Sequence, residues 1–482
     1  MTATDARPTG AIRSLIPARM DRLPWTRFHW TVVLGLGVSW ILDGLEIQMV
    51  SANGFAQQLH MNSVEIGLTG TIYLIGQVVG ALVFGRLSDR LGRRRFFILT
   101  LAIYLVGSGI AGLAFAPWFL WIFRFVAGMG IGGEYTAINS AIDEIIPSHY
   151  RGRVDIAING TYWGGAALGA AANLFLLTPQ LNDQGWGWRI GFFIGPVLGL
   201  VIIYLRRHIP ESPRWQLTHG QQEEAEANVE RIEREVEQES GRPLEKLPDS
   251  KAIEVVPSER IPFSQVAHVF LRRYPRRTFV GLVMMITQSF LYNAIFFSYA
   301  LVLQKFFHIP QAAIGLYFFP FAIGNLAGPL VLGPLFDTLG RRKMIFGTYV
   351  IAGLVLALSG ALFAAGALDA VTQTILWCVS FFFASAGASS AYLTVSETFP
   401  LQVRGQAISY FFSIGQLVGA FAPTIFGALV GNGSARGPLA VGDYLGAGMM
   451  IVGGIVALIF GVSAERKGLE DISDINFMAN TR

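Results

Sequence analysis

The sequence predicts an all-α membrane protein with twelve transmembrane helices arranged as two pseudo-symmetric six-helix bundles. The chain of 482 residues is 52% hydrophobic and only 14% charged, which is more apolar surface than a soluble core could bury. Apolar runs of about 20 residues, long enough to cross the hydrocarbon of a bilayer, recur along it. A charged motif behind the second run returns in the second half, which indicates an internal duplication.

Six apolar runs precede a long polar insert and six follow it. The predicted organisation is a cytoplasmic arm (1–29), an N-terminal bundle (30–206), a linker (207–277), a C-terminal bundle (278–463) and a cytoplasmic tail (464–482). An even number of spans puts both termini on one side of the membrane. The runs begin near Trp30, Ile66, Phe96, Phe119, Val154, Ile190, Thr278, Ala313, Met344, Val371, Gly405 and Tyr444.

The basic residues identify that side as the cytoplasm. Of the 36 Lys and Arg, all except Arg124, Arg189, Lys305 and Arg436 fall in the termini and the connections of one face. Their spread over seven short segments argues against a nucleic-acid-binding surface. The single cysteine, Cys378, excludes an intramolecular disulfide, and nothing predicts a metal site or a cofactor. We therefore expect a monomer whose partners are the lipid bilayer, a small-molecule substrate and protons.

The linker contains one predicted amphipathic helix. Ala225, Val229, Ile232 and Val236 recur at helical spacing with charged residues between them, so this helix should rest on the cytoplasmic ends of the bundle. Prolines on its C-terminal side interrupt regular structure. We expect the linker to act mainly as a tether.

Two motifs occur once in each half and are expected at the cytoplasmic ends of the helices. Small glycines would allow close helix contact, while the aspartates and arginines would pair with cations, lipid headgroups and the nearby glutamates. Two roles remain open for these motifs: a part in gating the cytoplasmic side, or only anchoring of the helices in the membrane. The motif residues are Gly85, Asp89, Arg93, Glu144 and Arg151, repeated as Gly333, Asp337, Arg341, Glu397 and Arg404.

Ionisable side chains within the spans are functional candidates, because burying a charge in hydrocarbon is costly. Asp43 and Glu46 lie one turn apart in the first span, and Arg124 and Glu134 lie in the fourth. A rise of 1.5 Å per residue puts Asp43 about 13 Å and Arg124 about 9 Å below the outer surface, so the two can meet. They form either a proton-coupling pair or a fixed buried ion pair. We expect no ionisable residue inside the second-half spans, with Asp443 near a helix end.

The combination of motifs resembles the major facilitator superfamily, in particular its sugar-porter-like branch. The doubled Gly-x-x-x-Asp-x-x-Gly-Arg-Arg, the doubled Glu-x-x-Pro-x-x-x-Arg-Gly, the glycines after Arg124 and the sequence Pro-Glu-Ser-Pro-Arg at 210–214 carry this resemblance. It covers essentially the whole chain. By resemblance, Asp43 and Arg124 fall where proton-driven sugar porters have their coupling pair, with Glu46 and Glu134 as further candidates.

The resemblance also implies a substrate site, although several sugar contacts of the family are replaced. The seventh span keeps one glutamine and the asparagine of the family motif, while Leu291 replaces its glycine, and Tyr392 stands where the tenth span has a sugar-stacking tryptophan. More aromatic groups and fewer amides suit a flat ligand. The candidate substrate residues are Asn159, Trp163, Gln288, Tyr292, Asn293, Asn325 and Tyr392.

The start of the chain is similar to bacterial carriers of the niacin and aromatic-acid proton-symporter type. Arg-Leu-Pro-Trp-Thr-Arg-Phe-His at 22–29 and Leu-Asp-Gly-Leu-Glu at 42–46 carry this similarity. We therefore expect a proton-coupled secondary transporter of an organic acid in the bacterial inner membrane. A sugar transporter, an uncoupled facilitator and a non-transporting sensor are the alternatives. No arrangement of catalytic groups suggests an enzyme.

Overall fold

The computed structural model describes residues 12–51, 54–91, 93–206, 211–255, 263–399, 401–430 and 435–462. Several predicted residues lie outside the side chains it describes, together with the tail after 462. These are Gly85, Asp89, Arg93, Arg151, Asp337 and Arg404.

Helices occupy all twelve predicted spans. In the N-terminal half they are α2 (Arg27–Ser51), α3 (Ser63–Leu91), α4 (Arg93–Ala111), α5 (Pro117–Ile145), α6 (Ser148–Leu176) and α8 (Trp186–Arg206), with the short α7 (Pro179–Asn182) between the last two. In the C-terminal half they are α12 (Pro275–Phe307), α13 (Ile314–Thr338), α14 (Arg341–Ala364), α15 (Ala370–Thr398), α16 (Leu401–Ala420) with α17 (Ala422–Val430), and α18 (Gly437–Phe460). The eleventh span is divided at Phe421.

Local chemistry defines several helix ends. Proline in the first turn of α5, α12 and α18 costs no hydrogen bond, because the first amides of a helix have no partner within it. Asp369 and Thr372 form a reciprocal capping box at the start of α15. His308 ends α12 in the left-handed conformation. In the described part of the chain, nine helices are long and apolar enough to cross a membrane.

The two halves repeat one pattern of helix packing. In the N-terminal half the main contacts are α2 with α6, α3 with α5, α4 with α5, and α8 with both α4 and α2. The second half has α12 with α16, α13 with α15, α14 with α15, and α18 with both α14 and α12. Spans of equal rank therefore make the same contacts. The halves meet mainly where α3 packs on α16 and α17, and where α6 packs on α13.

The linker and the N-terminal arm form a small body against the N-terminal bundle. The arm contributes β1 (Ile12–Ser14) and α1 (Ile16–Asp21), while the linker contributes α9 (Pro213–Thr218), α10 (Gln222–Ser240) and β2 (Ile253–Val255). The strands pair antiparallel, with Arg13 opposite Glu254. The amphipathic helix is confirmed, since the apolar face of α10 is buried with arm and bundle residues. A helix (Phe263–His268) that we name α11 and a π-helical turn (Val269–Arg273) lead into α12.

Candidate functional site

A cavity of about 800 Å³ lies between the two halves at mid-span. Spans from both halves contribute polar and aromatic side chains to its wall. Six of the seven predicted substrate residues lie there: Asn159, Trp163, Gln288, Tyr292, Asn293 and Tyr392. Asn325 lies behind the wall, where it accepts a hydrogen bond from the hydroxyl of Tyr292 at 3.1 Å and donates to the carbonyl of Phe321. It therefore supports Tyr292 rather than facing the cavity.

Aromatic rings form much of the cavity wall. The rings of Trp163 and Tyr292 are 5.6 Å apart and bring α6 of one half beside α12 of the other. On another wall the Tyr135 ring lies 4.2 Å from Trp40 and 5.2 Å from Phe412 of the second half. Such surfaces favour a planar ligand, which gains dispersion and stacking contacts.

An amide network crosses the cavity between the halves. The Gln416 amide donates to Oε1 of Gln77 at 2.7 Å, and its own oxygen accepts from the Ser289 hydroxyl at 2.6 Å. Asn293 donates to Ser289 at 3.2 Å. The sequence analysis did not include Gln77, Ser289 or Gln416. The available signal was a glutamine in the middle of an otherwise apolar span, since an amide is rarely placed there without a partner.

The buried arginine of α5 pairs with a different acid from the one predicted. Nη1 of Arg124 lies 2.7 Å from Oε1 of Glu46, and both side chains are buried. The expected direct pairing of Arg124 with Asp43 is therefore wrong. Both acids point into the same bundle because they are one turn apart, but the guanidinium stacks on the Tyr73 ring at 3.8 Å, which directs it to Glu46.

Asp43 is held by two tyrosines instead. The hydroxyl of Tyr73 donates to Oδ1 at 2.7 Å, and the hydroxyl of Tyr135 donates to Oδ2. Tyr73 therefore connects Asp43 to Arg124, while Tyr135 connects Asp43 to the cavity wall. A carboxylate with donors on both oxygens is stabilised as an anion, and loss of either donor would favour its protonated form.

The remaining predicted proton-coupling residue is near Asp43. Glu134 of α5 is 2% exposed and shares with Asp43 a small cavity of about 170 Å³. Nε and Nη2 of Arg124 have no hydrogen-bond partner within the described residues. The site thus contains two guanidinium nitrogens of Arg124 without a hydrogen-bond partner among the described residues, and the carboxyl groups of Asp43, Glu46 and Glu134 from α2 and α5.

The second copy of the duplicated motifs is partly described. Arg341 at the start of α14 forms a buried ion pair with Glu397 near the end of α15. Arg342 donates to the carbonyl of Leu458 at 3.1 Å, close to the end of α18. Gly333 is buried in α13, and Glu144 in the first half is half-buried. The pairing of Arg341 with Glu397 is one that the sequence predicted, and Arg342 connects the ends of α14 and α18.

Known proteins resemble the chain over nearly its whole length. A family model described as "Sugar (and other) transporter" matches residues 41–475. The chain is 26% identical over 414 residues to the "Niacin transporter NiaP" of Acinetobacter baylyi, covering 85% of this chain and 89% of that protein. It is 29% identical over 485 residues to the "Putative metabolite transport protein YdjK" of Escherichia coli, covering 96% and 98%.

Solved structures resemble it as well. The "MFS (major facilitator superfamily) proton:xylose symporter XylE" bound to 6-bromo-6-deoxy-D-glucose superposes with a TM-score of 0.73 at 18% identity. The match covers 92% of this chain and 98% of that structure. An inward-open structure of the same transporter gives a TM-score of 0.66.

Proposed function

Because the chain belongs to the sugar (and other) transporter family and has the major facilitator fold, we propose that it is a proton-coupled secondary transporter of a small organic acid. It is a multi-pass membrane transporter and not an enzyme, because its family and its relatives are transporters. In this proposal the central cavity binds the substrate and Asp43 binds the proton. The inner membrane of a bacterium, with both termini in the cytoplasm, is the proposed location.

The observation that carries proton coupling is the double role of Tyr135. Its ring lines the cavity and its hydroxyl donates to Asp43. A ligand that displaces this ring would remove a donor from the carboxylate and so change its affinity for a proton. Arg124 pairs with Glu46 and stacks on the ring of Tyr73, so its positive charge lies near Asp43. Glu134 completes the set of proposed proton-coupling residues.

The composition of the cavity wall supports an aromatic or other planar acid. The lining residues include Trp163, Tyr292 and Tyr392 for stacking, and the amides of Asn159, Gln288 and Asn293 for hydrogen bonds. Among the described residues that line the cavity, none carries a formal charge. A carboxylate in this cavity would lack a cationic partner, so uptake together with a proton would keep the loaded transporter close to neutral. One relative is named for niacin, itself an aromatic acid.

A sugar is the second candidate substrate. The amides of Gln77, Gln288 and Gln416 at the cavity could bind hydroxyl groups, and the proton:xylose symporter shares the fold. A thermal-shift screen of the purified protein with nicotinate, nicotinamide, benzoate and xylose separates these classes, because a ligand that binds the folded protein raises the Tm by an amount that grows with the ratio of its concentration to its Kd. Stabilisation by xylose alone would contradict the organic-acid proposal.

The proposed coupling is tested with Asp43→Asn in proteoliposomes. Asparagine has the same shape and accepts one of the two tyrosine hydrogen bonds through its carbonyl oxygen, while its NH2 group can only donate to the other hydroxyl. It cannot exchange a proton, so we expect loss of uphill uptake driven by a pH gradient. Exchange of labelled for unlabelled ligand should persist, because it needs binding and movement but no net proton release.

A matched control is Asp183→Asn, which changes an exposed aspartate outside the spans. It should behave as the wild type in both assays. Continued accumulation of ligand by the Asp43→Asn protein would show that Asp43 is not the coupling group. An uncoupled facilitator would show no uphill uptake even in the wild type.

A further inference from the structure

Another buried carboxyl group of the C-terminal bundle lies in a pocket separate from the central cavity. Asp443 lies near the start of α18, as expected from the sequence, and is only 5% exposed there. It lines a separate small pocket with Ser298, Gln373 and Trp377. Gly360 of α14 leaves the room for it, since a Cβ there would lie 3.0 Å from the Cβ of Asp443.

The polar atoms around this cavity are incompletely satisfied. Oε1 of Gln373 and Nε1 of Trp377 are buried and have no hydrogen-bond partner among the described residues. The Gln373 amide nitrogen is already used, because it donates to Ser359 at 2.8 Å. Ser298 donates to the carbonyl of Ala294. One free acceptor and one free donor therefore face the same space as the Asp443 carboxyl.

No counter-charge balances this acid within the described part of the chain. The side chains that α12, α14, α15 and α17 contribute to the cavity are all uncharged. Arg436 lies at this end of the bundle, where its guanidinium packs on Phe363 at 5.2 Å and on Phe307 at 5.6 Å. Lys305 lies three residues beyond the cavity-lining Val302 on α12, and Asp369 caps α15 at an exposed position.

We infer that Asp443 is a proton-binding site of the C-terminal bundle, occupied when the bundle is packed as it is here. A neutral carboxylic acid has one donor and one acceptor, which is the set that Gln373 and Trp377 lack. Neither Oε1 of Gln373 nor Nε1 of Trp377 is hydrogen-bonded to Asp443 directly, so the proposed contact passes through a water molecule. A carboxylate would leave the Gln373 oxygen unsatisfied and would itself be a buried, unpaired charge. This inference is independent of the substrate and of the proposed role of Asp43.

Reaction with dicyclohexylcarbodiimide tests the inference on the full-length wild-type protein. This reagent modifies protonated carboxyl groups in apolar surroundings, and the modified residue is mapped by mass spectrometry. We expect modification of Asp443 at neutral pH that decreases as the pH rises. The exposed Asp183 should not react. A wild-type protein that stays unmodified at Asp443 while another buried carboxyl reacts would overturn the inference.

Asp443→Asn provides the second measurement, because an amide has the same donor and acceptor pattern as the neutral acid. We expect a Tm equal to that of the wild type at neutral pH and higher than it at alkaline pH, where the wild-type carboxyl ionises. Equal pH dependence of the two proteins, or a variant much less stable at neutral pH, would contradict a proton site. Stabilisation of the wild type by sodium but not by choline, lost in the variant, would instead identify a metal-cation site and overturn the proposal.

Discussion

At the scale of single residues, Glu46 compensates the buried positive charge of Arg124. Arg124 is 0% exposed, and Glu46 supplies its one ion pair within the described residues. Taking two charges out of water costs several kcal/mol each, and their attraction offsets this cost only while both are present. The stacked ring of Tyr73 adds a cation–π contact but no charge. Removing one member of the pair should therefore have a large effect.

Glu46→Gln should lower the free energy of unfolding by about 3–5 kcal/mol, because it leaves the Arg124 charge buried and unpaired. The measurement is a denaturant or thermal unfolding curve of the purified protein. Glu224→Gln, on the exposed side of α10, is the matched control and should be within about 0.5 kcal/mol of the wild type. A small effect of Glu46→Gln would mean that water or Asp43 already balances Arg124.

The sequence predicted which ionisable residues are buried together, but not how they pair. Helical spacing places Asp43 and Glu46 on one side of α2, and the depth of α5 brings Arg124 to them. The choice between the two acids depends on the ring of Tyr73, which comes from a third helix. Contacts made by a residue from elsewhere in the chain leave no local pattern. Gln77 and Gln416 differ in this respect, because an amide in the middle of an apolar span is itself a local signal.

At the scale of helices, glycines determine how closely α3 and α5 approach. A Cβ at Gly132 would lie 1.9 Å from the carbonyl oxygen of Gln77, and a Cβ at Gly80 would lie 2.0 Å from that of Met129. Backbone atoms cannot move away as a flexible side chain could. Close contact of this kind is a main source of helix association in membranes, where burial of apolar surface gives little driving force.

Gly132→Ala should destabilise the protein by about 1–3 kcal/mol, since the helices must separate to admit the methyl group. Gly347→Ala is the control, because nothing lies within 4 Å of a Cβ at that helical position. The control should be neutral or more stable by about 0.5–1 kcal/mol, as alanine restricts the unfolded chain. Unfolding curves of both variants measure the difference. Equal stability of the two would show that the α3–α5 contact is not tight.

Ion pairs hold the N-terminal arm and the linker together. Glu233 of α10 accepts hydrogen bonds from Nε of Arg19 at 2.9 Å and from Nη2 at 2.6 Å, and it also pairs with Arg22. Burial by itself would raise the pKa of Glu233, but these hydrogen bonds outweigh it and hold the pKa below its ordinary value. The stabilisation is thus complete at neutral pH and is lost as the pH falls through the lowered pKa.

The protection of residues 12–22 against hydrogen exchange, measured relative to the intrinsic exchange rate at each pH, should consequently decrease at pH values below the ordinary glutamate pKa of about 4.3. Glu233→Gln should show the faster exchange already at neutral pH, because it removes the charge that Arg19 and Arg22 share. Glu230→Gln, at an exposed position of the same helix, should exchange as the wild type does. Unchanged exchange in Glu233→Gln would mean that the strand pairing alone holds the arm.

Sequence patterns predicted only part of the structure of the linker. The periodicity of apolar residues predicted α10 and the face it buries, because both follow from spacing along one helix. The pairing of β1 with β2 joins segments about 240 residues apart, and neither is long enough to show alternation. The pairing of the arm with the linker could therefore be identified only from the structure.

At the scale of the whole molecule, the two halves are joined along α3 and the helices of the eleventh span. Thr71 donates to the carbonyl of Ala420 at 2.6 Å, and its hydroxyl lies 2.8 Å from that of Thr424. Further along, Ser409 donates to the carbonyl of Ala81 at 2.8 Å. Rocking of one half against the other must break at least one end of this contact.

A disulfide between Thr71→Cys and Thr424→Cys, in a Cys378→Ser background, should abolish ligand exchange after oxidation. The bond would hold the halves together at this end, so the transporter could not alternate. Reductant should restore exchange, and the Thr71→Cys protein alone should be unaffected by oxidant. Exchange at the wild-type rate in the fully cross-linked protein would show that the α3–α17 contact stays closed during transport.

The overall architecture was the most predictable level, because hydropathy, charge bias and the duplicated motif each act over many residues. Every predicted span fell on a helix, and the common packing pattern of the halves agrees with the duplication. The division of the eleventh span at Phe421 was not predicted, although Pro423 two residues later is a signal for it, because proline has no N–H to donate to the carbonyl of Gly419.

The division of the linker between the two bundles limits how far they can separate. Chain up to Val255 is attached to the first bundle through the β1–β2 pair, while Phe270 of the segment that starts at Phe263 packs on Phe399 and Phe411 of the second. The covalent crossing is thus confined to the eight residue steps between 255 and 263. A fully extended peptide of that length reaches about 28 Å, which is the greatest distance these two anchor points can have in any conformation of the protein.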